Sequence, residues 1–222
     1  GLLVHFSTDF AYDGAKGAPY TEEDPFNPLS IYAKSKVMGD NAITASGVKH
    51  LIFRTSWVYG SRGRNFLSTM LEMCKNSSEI SILNDQQGAP TWCRFLAEGV
   101  GIALSQKTAY DSNSSGFYNM SCGGSCTWYE FAVAIAKYYE TKYSKRITIY
   151  PVSTGEYPMN AQRPRYSVLD NRKLNRVFGI TMPSWEASFK LLMQDMGFEE
   201  PRGIGVFPDK RRKTRKVEGS RI

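Results

Sequence analysis

The chain has 222 residues, of which 41% are hydrophobic and 22% charged, with a formal net charge of +7 at pH 7. Such a composition suits a folded protein of one domain, or one large domain with a small lobe, and argues against disorder. No apolar run reaches the 18 or so residues of a membrane span, and the first residues lack the basic, apolar and small-residue order of a signal peptide, which points to a cytosolic protein.

The first 115 residues read as alternating strands and helices. "GLLVHFST" is a buried parallel strand ending in a Ser-Thr-Asp stop. A loop through Gly14, Gly17, Pro19 and Pro25 leads to "NPLSIYAKSKVMGDNAITAS", a helix with Pro28 near its first turn and a stop at Gly47. "HLIFRTS" is a second buried strand, and "NFLSTMLEMCKN" is a helix with Phe66, Met70 and Met73 on one stripe. "EISILN" is a short strand and "RFLAEGVGIALSQ" a helix.

The alternation continues with the strand "GFYNMS", the helix "TWYEFAVAIAKYYETKY" and the strand "RITIYPV". "NRKLNRVFG" and "SWEASFKLLMQDMG" are short helices. Strands alternating with crossover-length helices imply an α/β fold with a largely parallel sheet. Residues 1–200 form this body, with a lid or substrate lobe mainly in 116–200. Residues 201–222 hold eight Lys/Arg against Asp209 and Glu218, so all but one of the net positive charges lie there. The segment 203–222 reads as a basic, disordered tail, and the basic balance is no evidence for a nucleic-acid face on the fold.

Cys74, Cys93, Cys122 and Cys126 are scattered and read as reduced thiols, with the pair in "CGGSC" as small buried residues flanking a glycine turn. "NSS" at 76 and 113 and "NMS" at 119 match glycosylation acceptors but read as turns and strand ends.

Three Tyr-x-x-x-Lys matches occur: Tyr12 with Lys16, Tyr32 with Lys36, and Tyr138 with Lys142. A tyrosine exchanges a proton poorly at neutral pH unless a neighbouring cation stabilises its phenolate, and four-residue helical spacing places an ammonium on the same face. Gly14 makes a continuous helix through Tyr12 improbable on physical grounds. Tyr138 sits in an apolar helix and reads as packing. Tyr32 alone has a strand end ahead of it, "FSTD", where Thr8 and Asp9 stand at the carboxyl edge that binds ligands in open α/β sheets.

"STDFAYDG", "PYTEEDPFNPLSIYAKSK", "HLIFRTSWVYG", "NFLSTML", "NDQQGAPT" and "QRPRYSVLD" follow one another in the order and spacing of the extended short-chain dehydrogenase/reductases. The chain resembles the dTDP-4-dehydrorhamnose reductase branch of that family over about residues 2–196. The resemblance implies a Rossmann-type parallel sheet of which this is the C-terminal part, with a small substrate lobe. It also implies reduction of the C4 ketone of a dTDP-sugar, with NADPH or NADH as hydride source. It makes Tyr32 the proton donor, Lys36 the residue that holds the nicotinamide ribose and favours the phenolate, and Thr8 the hydroxyl that touches substrate. Asp9 and Trp57 become sugar contacts, and Asn65, Gln86, Arg163 and Pro164 lie toward the nucleotide end, where an arginine suits a diphosphate.

The resemblance also has departures. No Gly-x-x-Gly-x-x-Gly turn opens a first βαβ unit, so about 100 residues of the family's cofactor half are expected to lie outside this sequence. The chain by itself is expected to bind cofactor weakly and to leave its first strand without a neighbour on one side. Phe10 stands where the family has tyrosine. Arg94 stands where some members carry a glutamate for magnesium shared between subunits, and Asp195 matches only partly, which argues against magnesium while leaving a homodimer open. A non-catalytic alternative is the regulatory beta subunit of methionine adenosyltransferase, which has a related body. A nucleic-acid role for "KRRKTRK" lacks aromatic residues that could stack on bases.

Overall fold

The computed structural model describes residues 1–156 and 161–201. The expected basic tail therefore lies outside the described residues. In chain order the elements are β1 (Leu3–Thr8), α1 (Ile31–Ala45), β2 (His50–Thr55), β3 (Val58–Tyr59), α2 (Phe66–Asn76), β4 (Glu79–Leu83), β5 (Gln87–Gly88), β6 (Thr91–Trp92) and α3 (Cys93–Leu104). They continue as β7 (Gly116–Asn119), β8 (Cys126–Thr127), α4 (Trp128–Tyr143), β9 (Thr148–Val152), α5 (Arg172–Phe178) and α6 (Trp185–Asp195).

The α/β alternation is as the sequence implies. The main sheet is parallel, in the order β1-β2-β7, and two further parallel pairs, β3 with β6 and β4 with β9, lie beside it. An antiparallel pair, β5 with β8, joins the loops between them.

β2 is buried along its whole length, as a central parallel strand with both faces covered should be. β1 departs from the expected buried strand. Among the described residues it pairs with β2 alone, the one-sided pairing also expected above, and Leu3 and Phe6 stay 42% and 41% exposed. Only Ser7 and Thr8, at its carboxyl end, are buried.

Helix α1 begins later than its proline suggests. Ser30 is the N-cap and accepts from the Ala33 amide, so Pro28 stands outside the helix; Gly47, with φ of +70°, follows its end. On α2 the buried stripe is Leu67, Met70 and Cys74, with Phe66 and Met73 only partly covered. The sequence stripe is thus turned by about one residue. The capping box of Asn65 and Ser68 fixes the start of the helix and with it the face that turns inward.

Two apolar cores result. One lies on the main sheet and joins Leu51, Phe53, Tyr118, Leu96 of α3 and Leu174 and Phe178 of α5. The other is built by α2, α4 and α6 around Phe131, Ile135, Trp185, Phe189 and Leu192, with Ile80 of β4. A small apolar cluster of Tyr12, Tyr20 and Leu169 ties the first loop to the segment after Tyr166. Cys74, Cys122 and Cys126 are buried reduced thiols and Cys93 is an exposed one. Asn119 is fully buried and its amide donates to the Tyr20 carbonyl at 2.8 Å, so the "NMS" match is packing.

Candidate active site

The parallel register aligns Thr8 with Thr55, so the residues that follow, Asp9 and Ser56, meet at the carboxyl edge of the sheet. Ser56 Oγ donates to Asp9 Oδ2 at 2.8 Å and Thr8 Oγ1 to Oδ1 at 3.3 Å, and Ser167 adds a third hydroxyl. Thr8 also caps the short turn after β1, accepting from the Phe10 amide at 3.2 Å. Burial pushes the Asp9 carboxyl up to about 6, against the pull of these hydroxyls. Desolvation thus works against the charged form of this side chain.

The three Tyr-x-x-x-Lys matches separate cleanly. Tyr12 is buried; its hydroxyl donates to the Thr21 carbonyl at 2.7 Å and accepts from Arg54 Nη1 at 2.6 Å, and burial pushes it up to about 12. Tyr138 is buried in the second core, also pushed up to about 12 by burial, and its hydroxyl has no hydrogen-bond partner among the described residues. Tyr32 is 56% exposed in the first turn of α1, open to a ligand. One turn on, Lys36 Nζ donates to the Phe6 carbonyl of β1 at 2.6 Å and lies 3.3 Å from His5 Nε2. The lysine thus bridges the tyrosine's helix and the strand that ends in Thr8 and Asp9.

Trp57 follows β2 in a left-handed backbone conformation, φ +43°, which is a genuine outlier for a bulky side chain. Its indole stacks on Trp128 of α4, with ring centroids 3.5 Å apart and planes 5° from parallel. A Cβ on Gly88 would fall 2.4 Å from the Trp57 ring-fusion carbon Cε2, closer than to the adjoining Nε1 or Cζ2. Gly88 therefore lies over the ring, and both indole faces are covered. Trp57 is positioned beside the strand ends as its sequence place suggests, but it presents an edge.

The residues assigned to the nucleotide end divide into two groups. Asn65 is spent on the fold: its amide donates to the carbonyls of Gly60, Arg62 and Gly63, and its oxygen accepts from the Ser68 amide. Gln86 is buried and donates to Thr154 Oγ1 at 3.2 Å. Pro164 is buried against Gly14, where φ is +84° and a Cβ would come within 2.8 Å of the proline Cβ. Arg163 is exposed and lines a cavity of about 350 Å³ with Phe66, Met73, Ile82, Leu83 and Trp128. An apolar wall with one cation is the arrangement that seats a planar base beside an anionic group. A larger groove of about 690 Å³ between α2 and α4 contains none of the predicted residues.

Sequence reasoning missed Ser56, Ser167, His5, Asp40 and Trp128. The strand-end rule that selects Thr8 and Asp9 also selects Ser56. Ser167 and Trp128 carry no such local signal, because tertiary packing brings them in. Arg94 and Asp195, marked by the resemblance, form an exposed ion pair at 3.2 Å, and Arg94 also binds Glu98 at 2.9 Å. Among the described residues no group of three His, Cys, Asp or Glu could hold a metal ion, and no helix is long and apolar enough to cross a membrane.

Residues 1–198 match the model of the RmlD substrate binding domain. The chain belongs to that family. The dTDP-4-dehydrorhamnose reductase of Burkholderia thailandensis is 40% identical over 203 residues, covering 88% of this chain and 68% of that protein. The crystal structure of a dTDP-4-dehydrorhamnose reductase from Clostridium acetobutylicum is 35% identical, with a TM-score of 0.79, over 88% of this chain and 66% of that one. A Bacillus anthracis dTDP-4-dehydrorhamnose reductase, solved in complex with NADP, is 34% identical, with a TM-score of 0.77, over 87% of this chain and 65% of that one. The chain thus spans about two thirds of the length of the relatives it matches. The RmlD-family fold is the Rossmann-type α/β arrangement of the extended short-chain dehydrogenase/reductases, in agreement with the parallel main sheet.

Proposed function

We propose that the chain carries the catalytic tyrosine and the sugar-nucleotide side of a dTDP-4-dehydrorhamnose reductase, an NADPH-dependent oxidoreductase that reduces the C4 ketone of dTDP-4-dehydro-6-deoxy-L-mannose to dTDP-L-rhamnose. One observation carries this reading: of three Tyr-x-x-x-Lys pairs, only Tyr32 and Lys36 combine an open phenol with a lysine docked on the strand that ends in Thr8 and Asp9.

The open face of Tyr32 and Lys36 fits a nicotinamide cofactor, and that cofactor, when bound, supplies the hydride. Tyr32 gives its phenolic proton to the ketone oxygen, and the Lys36 ammonium favours the phenolate left behind. The Thr8 hydroxyl, already anchored to the Phe10 amide, is held at the strand end to meet the same oxygen. Asp9 stands next to it in the sugar site, with Trp57 offering an indole edge. Arg163 takes the diphosphate, and the apolar cavity between Phe66 and Trp128 takes the base.

The substrate side is tested by titrating the chain with dTDP-L-rhamnose and following tryptophan fluorescence. Micromolar binding that weakens at least tenfold in Arg163→Ala is expected. Absence of binding by the parent chain refutes the reading. In NADPH oxidation driven by the 4-keto sugar, Tyr32→Phe is expected to lower turnover by about 10²-fold or more.

A further inference from the structure

A polar cluster lies behind the Tyr32–Lys36 face, and the chemistry above uses only its lysine. Asp40, one helical turn beyond Lys36, is completely buried. The Ser7 hydroxyl of β1 donates to its Oδ2, while its Oδ1 has no hydrogen-bond partner among the described residues and faces His5 Nε2 at 3.5 Å. That same imidazole nitrogen lies 3.3 Å from Lys36 Nζ. A buried carboxyl with one oxygen unsatisfied is unfavourable, and an apolar side chain would seat α1 on β1 without that penalty. The arrangement is therefore poorly explained as packing.

His5 Nε2 can serve one neighbour at a time. Bare, it accepts from the Lys36 ammonium; protonated, it donates to Asp40. Burial and the charge of Lys36 hold the imidazole below its ordinary value, and Asp40 acts in the opposite sense. The groups facing it are Lys36 and Asp40 from α1, while on the β2 side Arg54 acts on Asp40. Its own strand contributes the Ser7 hydroxyl to Asp40 and the Phe6 carbonyl to Lys36.

We infer that Asp40 and His5 are positioning residues for the Tyr32–Lys36 pair: Asp40, pinned by Ser7, and His5 together hold the Lys36 ammonium on β1. They thereby fix the helix face that carries Tyr32 against the strand end that carries Thr8 and Asp9. With His5 neutral, Lys36 has both the imidazole and the Phe6 carbonyl as partners. Once protonated, His5 turns to Asp40 and Lys36 keeps the carbonyl alone. The purpose assigned to the cluster rests on the reductase reading; its wiring does not.

His5 and His50 are the only histidines, so NMR titration of their ring signals in the full 222-residue chain, without ligand, resolves both. Neutral His5 is expected to carry its proton on Nδ1. Lys36→Met is expected to raise its midpoint and Asp40→Asn to lower it, with His50 unmoved. Should Asp40→Asn fold poorly, Ser7→Ala, which keeps the carboxyl, is expected to shift His5 in the same direction by less. A His5 midpoint unmoved by Lys36→Met and by either other variant overturns the wiring, and this readout needs neither cofactor nor substrate. In turnover, Asp40→Asn is expected to lower kcat about tenfold with KM within about twofold, as for misplacement of a reacting group. An unchanged kcat overturns the positioning role.

Discussion

Asp9→Asn should make the protein more stable at neutral pH, and only there. Asp9 is 3% exposed, and burial raises its carboxyl from an ordinary 3.8 to about 6. Between those values the folded chain binds a proton that the unfolded chain releases. Stability from this group is full below pH 3.8 and is lost as pH rises through 6. The loss is about 3 kcal/mol, at about 1.4 kcal/mol for each tenfold in proton affinity. An amide avoids this loss. It also replaces an acceptor with a donor, and Thr8 Oγ1 and Ser56 Oγ already accept from the amides of Phe10 and Ala89. The net gain expected at pH 7.5 is therefore about 1–3 kcal/mol, or roughly 2–12 °C in Tm for a chain of this size. Urea unfolding of parent and variant at pH 4, 5.5 and 7.5 measures it; the difference between the two should grow with pH. Parallel curves across that range, or a variant less stable at pH 7.5, would refute the claim that desolvation governs this carboxyl.

Substitutions at three further positions are dictated by the packing. Gly88→Ala drives a methyl group into the Trp57 indole; a loss of about 1–3 kcal/mol is expected, with a weakened near-ultraviolet CD signal from the Trp57–Trp128 stack. Arg54 is fully buried between Phe117, Phe26 and Tyr12, with Nε and Nη2 lacking hydrogen-bond partners among the described residues. Arg54→Met should stay within about 1 kcal/mol of the parent in urea unfolding, whereas Arg54→Lys, a strongly hydrated point charge in an aromatic cage, should lose about 2–4 kcal/mol. Glu130 closes the capping box of α4 by accepting from the Thr127 amide at 2.8 Å, so Glu130→Ala should lose about 1 kcal/mol, seen as a lower Tm.

The sequence shows most where one local rule suffices. The apolar run 50–55 becomes a fully buried strand, and Tyr32 stands out because the sheet register carries Thr8 and Asp9 to the same edge. Burial of Tyr12 and Tyr138 removes the competing pairs, and an apolar helix already hinted at this for Tyr138. What stays hidden depends on contacts between distant segments. Nothing near Asn65 distinguishes a ligand residue from a helix cap, and only the loop carbonyls it binds decide that. The stacking of Trp57 on Trp128 joins residues far apart in the chain, so no local pattern announces it. Asp40 reads as one more polar residue on an exposed helix until β1 is laid over it.

The order of strands in the main sheet also bears on how the chain gets there. β1, α1 and β2 are consecutive, so their pairing closes a short crossover and can form early. The pairings of β7 with β2 and of β9 with β4 close longer stretches of chain. The segment β1-α1-β2 holds Thr8, Asp9, Tyr32, Lys36, Asp40 and His5. The candidate site residues thus share one crossover unit, while the cavity beside Arg163 draws its walls from three separate elements, α2, β4 and α4.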